Sequence, residues 1–272
     1  MMPYPNSCNY TVIDSHNHIH FDEYKDDRPQ VIKRSASRCL AAMLLVGIDR
    51  KDSEKALNIA RQYKGLYVSV GVHPQNAGQY GAGDVLGLAS LSRDTRVVAV
   101  GETGFDLYRT PDTLDLQKEL FRAHVDLARR LGLPLVIHTR NADSILLEML
   151  DDLDAWELGG VIHCFSGDMK MAEHVIKKGF MVSIPGVITF KKAHVLREVA
   201  REVPEESLLV ETDAPYLAPM PYRGKRNEPS YVVETLRAVS DIREVSIAHM
   251  ANVTTDNFCR LFLKGRELEV IQ

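Results

Sequence analysis

Eight short runs rich in Val, Ile and Leu recur along this chain, at residues 10–18, 41–48, 66–73, 97–103, 135–139, 161–165, 180–184 and 208–213. Between them lie segments with helical spacing of apolar residues and charged faces, clearest at 52–63, 114–131, 142–150, 169–178 and 191–201. A last helical region covers 231–240 and 244–262. The short runs show little polar alternation, the pattern of strands buried on both faces of a parallel sheet. Gly132 follows the segment 114–131 where a C-terminal cap belongs, and Pro134 blocks its continuation. Strand and helix alternating in this way predict an α/β protein, a (β/α)8 barrel. An open doubly wound sheet is the competitor, but no Gly-x-Gly-x-x-Gly follows the first strand. A length of 272 residues suits one barrel. No repeat, low-complexity tract or linker divides it, so residues 1–272 are expected to form a single domain.

Composition narrows the function classes. No apolar run is long enough to span a bilayer. The first six residues lack the basic start and apolar stretch of a secretory leader. Cys8, Cys39, Cys164 and Cys259 are scattered without a Cys-x-x-Cys pair, which argues against a disulfide framework or zinc knuckle and suits a reducing cytoplasm. The formal net charge of -4 is unlike that of a protein coating long stretches of nucleic acid. If the substrate carries phosphate, local arginines or a metal must hold it.

Chemistry gathers where the predicted strands end. The first strand runs through Thr11-Val12-Ile13-Asp14-Ser15 into His16-Asn17-His18. Side chains alternate on a strand, so His16 and His18 share a face. The third strand ends at His73, the fourth at Glu102, the fifth at His138, the sixth at His163 and the eighth at Asp213. In barrel enzymes this rim carries the active site. Each residue alone has a plain reading as a cap, turn or paired charge, as do His124, His174, His194 and His249 within helical segments. Converging imidazoles and carboxylates are costly to bury unless something neutralises them, and divalent cations do so. Six ligands exceed the needs of one catalytic zinc and are enough for two ions. The expected arrangement has His16, His18 and Asp213 at one ion, His138 and His163 at the other, and Glu102 bridging them. The ions would be Zn, Mg or Mn.

At these residues the sequence resembles the TatD family of metal-dependent deoxyribonucleases, a branch of the amidohydrolase-like TIM barrels. The resemblance runs from Asp14-Ser15-His16-Asn17-His18 through Val72-His73-Pro74, Gly101-Glu102-Thr103-Gly104-Phe105-Asp106, His163-Cys164-Phe165-Ser166-Gly167 and Glu211-Thr212-Asp213-Ala214-Pro215-Tyr216 to Arg226-Asn227-Glu228-Pro229. It implies a divalent-metal hydrolase acting on DNA, often as an exonuclease, and the same six ligands. His20 stands where the family commonly has Asp, and Thr103 and Phe105 replace more usual aliphatics. No ligand is lost, and His20 is a candidate extra proton donor at the mouth of the site.

The expected reaction is phosphodiester hydrolysis of DNA, as single strands or strand ends. Asp213 is both ligand and general base, and Glu102 joins it in the catalytic set. His73 either orients phosphate and donates a proton or is a turn histidine before Pro74. Glu211, on the face of Asp213, either orients a ligand histidine or pairs with an arginine. Arg140, on the face of His138, and Arg226, in the basic loop with Arg223 and Lys225, are the candidate phosphate contacts. Tyr216 and Phe165 either stack bases or pack. The alternatives are a hydrolase of another ester or amide on the same barrel, such as an aminoacyl ester, and a metal-storage or nucleic-acid-binding protein without turnover.

Overall fold

In a computed structural model that describes residues 9–271, eight parallel strands form one sheet in sequence order. They are β1 (Val12–Asn17), β2 (Leu40–Val46), β3 (Leu66–Val70), β4 (Val97–Asp106), β5 (Leu135–Arg140), β6 (Gly160–Ile162), β7 (Met181–Ile184) and β8 (Leu208–Val210). The helices between them are α1 (Arg28–Ser37), α2 (Arg50–Ala60), α3 (Ala82–Gly87), α4 (Leu114–Leu131), α5 (Asp143–Asp152), α6 (Met169–Lys177) and α7 (His194–Glu202). After β8 come α8 (Val232–Arg243) and α9 (Ile247–Phe258), the latter ending in a π turn, Cys259–Leu263. All eight predicted strands and the predicted helices are present, and α1 and α3 are additions. α1 begins at Arg28-Pro29, with proline in the first turn, where its missing N–H costs nothing.

The end of α4 shows how local sequence shapes the barrel. Gly132 takes the left-handed conformation (φ 62°), the Leu133 N–H bonds to the Ala128 carbonyl and the Gly132 N–H to the Arg129 carbonyl. This pair of bonds is a Schellman cap. Pro134 then leads directly into β5.

The seam between β8 and β1 is closed largely by side chains. Asp14 accepts from the Thr212 N–H (2.9 Å) and hydroxyl (2.6 Å), and the Ser15 hydroxyl donates to the Val210 carbonyl. At the rim the Asp213 N–H bonds to the His16 carbonyl and the His18 N–H to the Ala214 carbonyl. Burial pushes the Asp14 carboxyl up to about 8 against these bonds.

Two apolar regions result. One lies between the strands and the helices. The other fills the barrel with Ile13, Ala42, Leu44, Val98, Val136, Val161, Met181 and Leu209, and packs on Phe258, Leu261, Phe262 and Leu263 from α9 and its π turn. Two residues further along several strands the inward positions turn polar. Val136 precedes His138, Val161 precedes His163, Met181 precedes Ser183 and Leu209 precedes Glu211. The Ser15 and Ser183 hydroxyls meet at 3.0 Å, and Ser69 donates to the Gly101 carbonyl.

The predicted strands at β3, β6 and β8 overrun the observed C-terminal ends by three residues, and those at β1 and β2 by one and two. His73, Cys164 and Asp213 lie beyond the paired residues of β3, β6 and β8. His73 begins a 3-10 turn, while Cys164 (φ 45°) and Asp213 (φ 54°) are left-handed. β4 instead runs longer, with a register shift between Val100 and Thr103. A Cβ on Gly101 would lie 2.3 Å from the Val136 carbonyl oxygen and one on Gly71 2.4 Å from the Gly101 carbonyl carbon. Glycine at both positions lets β3, β4 and β5 approach closely where β4 bends beneath Glu102.

Among the described residues no helix is long and apolar enough to cross a membrane. Cys164 and Cys259 are free.

Candidate metal centre

Glu102 lies 3 % exposed at the centre of the barrel's C-terminal mouth, and its two oxygens face two groups of side chains. Oε2 is 3.4 Å from His16 Nε2 and 3.9 Å from His18 Nε2. Those two ring nitrogens are 3.3 Å apart, with Asp213 Oδ1 3.9 Å from the first and 3.6 Å from the second. Oε1 is 2.8 Å from His163 Nε2, 3.0 Å from His138 Nδ1 and 3.3 Å from His73 Nε2. The structure thus brings all six expected ligands together, and His73 with them. The donor atoms form three tight sets: His16, His18 and Asp213; His16, Glu102 and His163; His73, Glu102 and His138.

Surrounding contacts orient these rings. His18 Nδ1 donates to the Val46 carbonyl (2.7 Å), which turns Nε2 toward the centre. His138 Nε2 faces Asp106 Oδ2 at 3.3 Å, and His163 Nδ1 faces Glu211 Oε1 at 3.4 Å. Such carboxylates behind metal-binding imidazoles fix ring orientation. Glu211 therefore takes the first of its two expected places, and its Oε1 also accepts the Cys164 N–H (2.7 Å). His73 differs. Its Nδ1 accepts the Gln75 N–H (3.1 Å), which leaves the proton of the neutral ring on Nε2, pointing at Glu102.

Charge in this enclosure is strongly coupled. Burial acts to raise the Glu102 carboxyl, but His163, His73, His16 and the His138 hydrogen bond hold it well below the usual carboxylate range. Burial disfavours the charged form of His163, yet Glu102 and Glu211 lift it well above an ordinary histidine. Asp213 is likewise lowered against burial by His18, His16 and His163. His16 and His73 are lowered, chiefly by burial.

These donors fit divalent cations. Four imidazoles and two carboxylates supply mixed nitrogen and oxygen ligands of the kind Zn and Mn accept. The ring nitrogens of His16 and His18 converge on each other, while His16 Nδ1, His138 Nε2 and His163 Nδ1 are buried without an aligned hydrogen-bond partner. Lone pairs crowded around carboxylate oxygens are stable when a cation lies among them.

Other expected residues fall in different places. Arg140 is exposed on the same strand face as His138, with its guanidinium carbon 4.1 Å from the centre of the Tyr108 ring. Arg226 instead pairs with Asp27 through both carboxylate oxygens (2.9 and 2.6 Å), donates to the Glu23 carbonyl and lies over Tyr24. These contacts commit it to holding the loop. Phe165 is buried and packs in the core, whereas Tyr216 is 52 % exposed. His20 is no donor at the mouth. It is fully buried and bonds to Asp52 at 2.8 Å, because the chain turns inward after His18.

Sequence reasoning missed Asp106, Gln75 and Tyr108, and gave His124 only a plain reading within a helix. Asp106 was legible in principle, since Glu102, Gly104 and Asp106 follow alternate positions of one strand. Gln75 Nε2 donates to Asp106 Oδ2 (2.6 Å), and His124 Nε2 accepts the Val72 N–H (2.9 Å) from the outer helix α4. Neither contact leaves a mark in local sequence.

Fold and site together define a metal-dependent hydrolase built on a (β/α)8 barrel. The model of the TatD related DNase family matches residues 13–263, and the chain belongs to the TatD family. It is 36% identical over 251 residues to the metal-dependent hydrolase YabD of Bacillus subtilis, covering 92% of this chain and 98% of that protein. It is 34% identical over 249 residues to the 3'-5' ssDNA/RNA exonuclease TatD of Cronobacter sakazakii, covering 89% and 94%. The crystal structure of YJJV, a TatD homolog from Escherichia coli, superposes with a TM-score of 0.87 at 28% identity, covering 93% of this chain and 98% of that one.

Proposed function

We propose that this protein hydrolyses phosphodiester bonds of DNA, working on single strands or strand ends with two divalent metal ions. The observation that carries the reading is the division of Glu102, with one oxygen toward His16, His18 and Asp213 and the other toward His138 and His163. Those six residues would hold the ions. The ions would acidify water and neutralise charge on the phosphate. The exonuclease name carried by the Cronobacter relative supports the choice of a nucleic-acid substrate.

The chain's own residues supply the remaining steps. Asp213, a ligand and also the most exposed of the carboxylates at the centre, accepts a proton from the attacking water. Glu211 and Asp106 hold His163 and His138 in place. His73 donates its Nε2 proton in a hydrogen bond to a phosphate oxygen. Arg140 offers a second donor at the mouth, where among the described residues no carboxylate pairs with it. Phosphorus gains an oxygen from water and loses one ester oxygen, which leaves with the proton that Asp213 accepted.

The test is metal-dependent release of nucleotides from end-labelled single-stranded DNA, duplex DNA and RNA, beside panels of amides, lactones and aminoacyl esters. Nucleotide release with Mg, Mn or Zn is the expected result. Turnover of a carbonyl substrate with none of DNA would transfer the same metal chemistry to another ester or amide.

A further inference from the structure

Tyr108 is 56 % exposed on the loop that follows β4. Arg140 closes the neighbouring strand β5, two residues beyond His138, so their side chains leave the same strand face. The Arg140 guanidinium lies 4.1 Å above the Tyr108 ring, and the Arg109 guanidinium is 5.6 Å from the same ring. A planar guanidinium stacked on an aromatic ring keeps its N–H edge free for a planar or tetrahedral oxyanion. No described carboxylate takes that edge. Three other arginines are consumed: Arg28 by backbone carbonyls, Arg34 by Glu228 and Arg226 by Asp27.

The loop beneath Tyr108 is tied to the metal centre by one carboxylate. Asp106 Oδ1 accepts the N–H of Tyr108 (3.0 Å) and of Arg109 (2.8 Å), while Oδ2 faces His138. Gln117 accepts the Asp106 N–H and donates to Thr110, which secures the far side of the loop. The backbone that carries Tyr108 is therefore tied to His138 through Asp106.

We propose that Tyr108 is a positioning residue that holds Arg140 at the mouth of the metal centre, with its guanidinium edge presented to a substrate phosphate. The inference rests on the phosphodiesterase reading and adds to it the residue that sets the phosphate grip. An unstacked arginine on a strand end would sample many rotamers, and stacking removes that freedom before substrate arrives.

The test uses metal-loaded enzyme and the variants Arg140→Ala, Tyr108→Ala, Tyr108→Phe and the double alanine. KM and kcat are measured on end-labelled single-stranded DNA, and inorganic phosphate binding is measured by calorimetry. Arg140→Ala is expected to raise KM and the phosphate Kd about tenfold or more, the effect of losing a charged hydrogen bond. Tyr108→Ala is expected to raise both about two- to fivefold with kcat little changed, and Tyr108→Phe to restore them. In the Arg140→Ala background, loss of Tyr108 should add nothing. An equal Tyr108→Ala effect without Arg140, failure of Phe to restore, or no effect of Tyr108→Ala at all would each overturn the proposal. A wild type that releases no nucleotide yet keeps the Arg140–Tyr108 coupling in phosphate binding would sink the nuclease reading and still support the grip.

Discussion

The two ends of this barrel are made from the same strands and behave as opposites. At the N-terminal end Phe258, Leu261, Phe262 and Leu263 close the opening against Ile13, Leu44, Val136 and Leu209. At the C-terminal end, one or two inward positions further along those strands, five imidazoles and two carboxylates crowd together. Apolar burial stabilises the first end at roughly 25 cal/mol per Å² removed from water. Buried charge opposes folding at the second unless cations or hydrogen bonds compensate. Stability and chemistry are therefore segregated along one axis, and substitutions at the two ends should have opposite signatures.

The largest expected effect is at the chemical end. Glu102→Gln removes the one side chain that faces both ligand groups. It should cost several kcal/mol of transition-state stabilisation, a thousandfold or more in rate, and reduce bound metal. Far-ultraviolet circular dichroism should stay unchanged. Retention of wild-type metal content and activity would break the contrast, as would collapse of the fold. Phe262→Ala at the closed end should do the reverse. Deleting a fully packed phenyl costs about 3–5 kcal/mol of stability, visible in urea denaturation, while kcat measured well below the melting temperature stays near wild type. A matching loss of kcat in folded Phe262→Ala protein would show that the ends are not independent.

How much of this was legible differs in the same way between the ends. Apolar runs mark strands in any context, so the strand order and the span of α4 could be read from the chain. The six side chains that gather at the mouth could be read because each ends such a run, and the place of Arg140 beside them because it follows His138 by two. Asp106, Gln75 and His124 act across distances of 31 and 52 residues to Gln75's carboxylate partner and Val72's histidine, and sequence periodicity carries nothing about those pairings. His20 and Arg226 were placed at the site by proximity to His18 and Asp213 along the chain. Asp52 and Asp27, from other segments, hold them elsewhere. Helices α1 and α3 escaped notice because their apolar residues are few: only Val31 and Ile32 among the apolar residues of α1, and Val85 in α3, are buried.

His124, on the outer helix α4, supports the chemical end from behind the barrel. It is buried in α4, donates from Nδ1 to the Leu120 carbonyl and accepts the Val72 N–H at Nε2, so its ring is neutral. Burial depresses it from 6.5 to about 4. Because the folded value lies below the unfolded one, the unfolded chain binds the proton first as pH falls. The stabilisation is whole above about pH 6.5 and is lost progressively down to about pH 4, a difference of about 3 kcal/mol. His124→Phe should flatten the fall in stability over that window. It should also lower kcat, since the Val72 N–H precedes His73. Stability curves of equal slope for wild type and variant would remove His124 from the account.

The smallest effect belongs to Arg226, and it decides whether nearness to Asp213 in the chain means membership of the site. Its guanidinium is bound by Asp27 and the Glu23 carbonyl, and its side chain is 36% exposed. An ion pair of that exposure contributes about 1 kcal/mol or less. Arg226→Ala is therefore expected to lower stability by no more than that, with kcat and KM on single-stranded DNA unchanged at any salt concentration. Asp27→Ala should reproduce the stability loss, and the double variant should lose little more than either single one, since both break the same contact. A KM increase in Arg226→Ala that Asp27→Ala does not share would mean that the arginine leaves its partner to meet substrate, and the boundary of the chemical end would extend into the loop after β8.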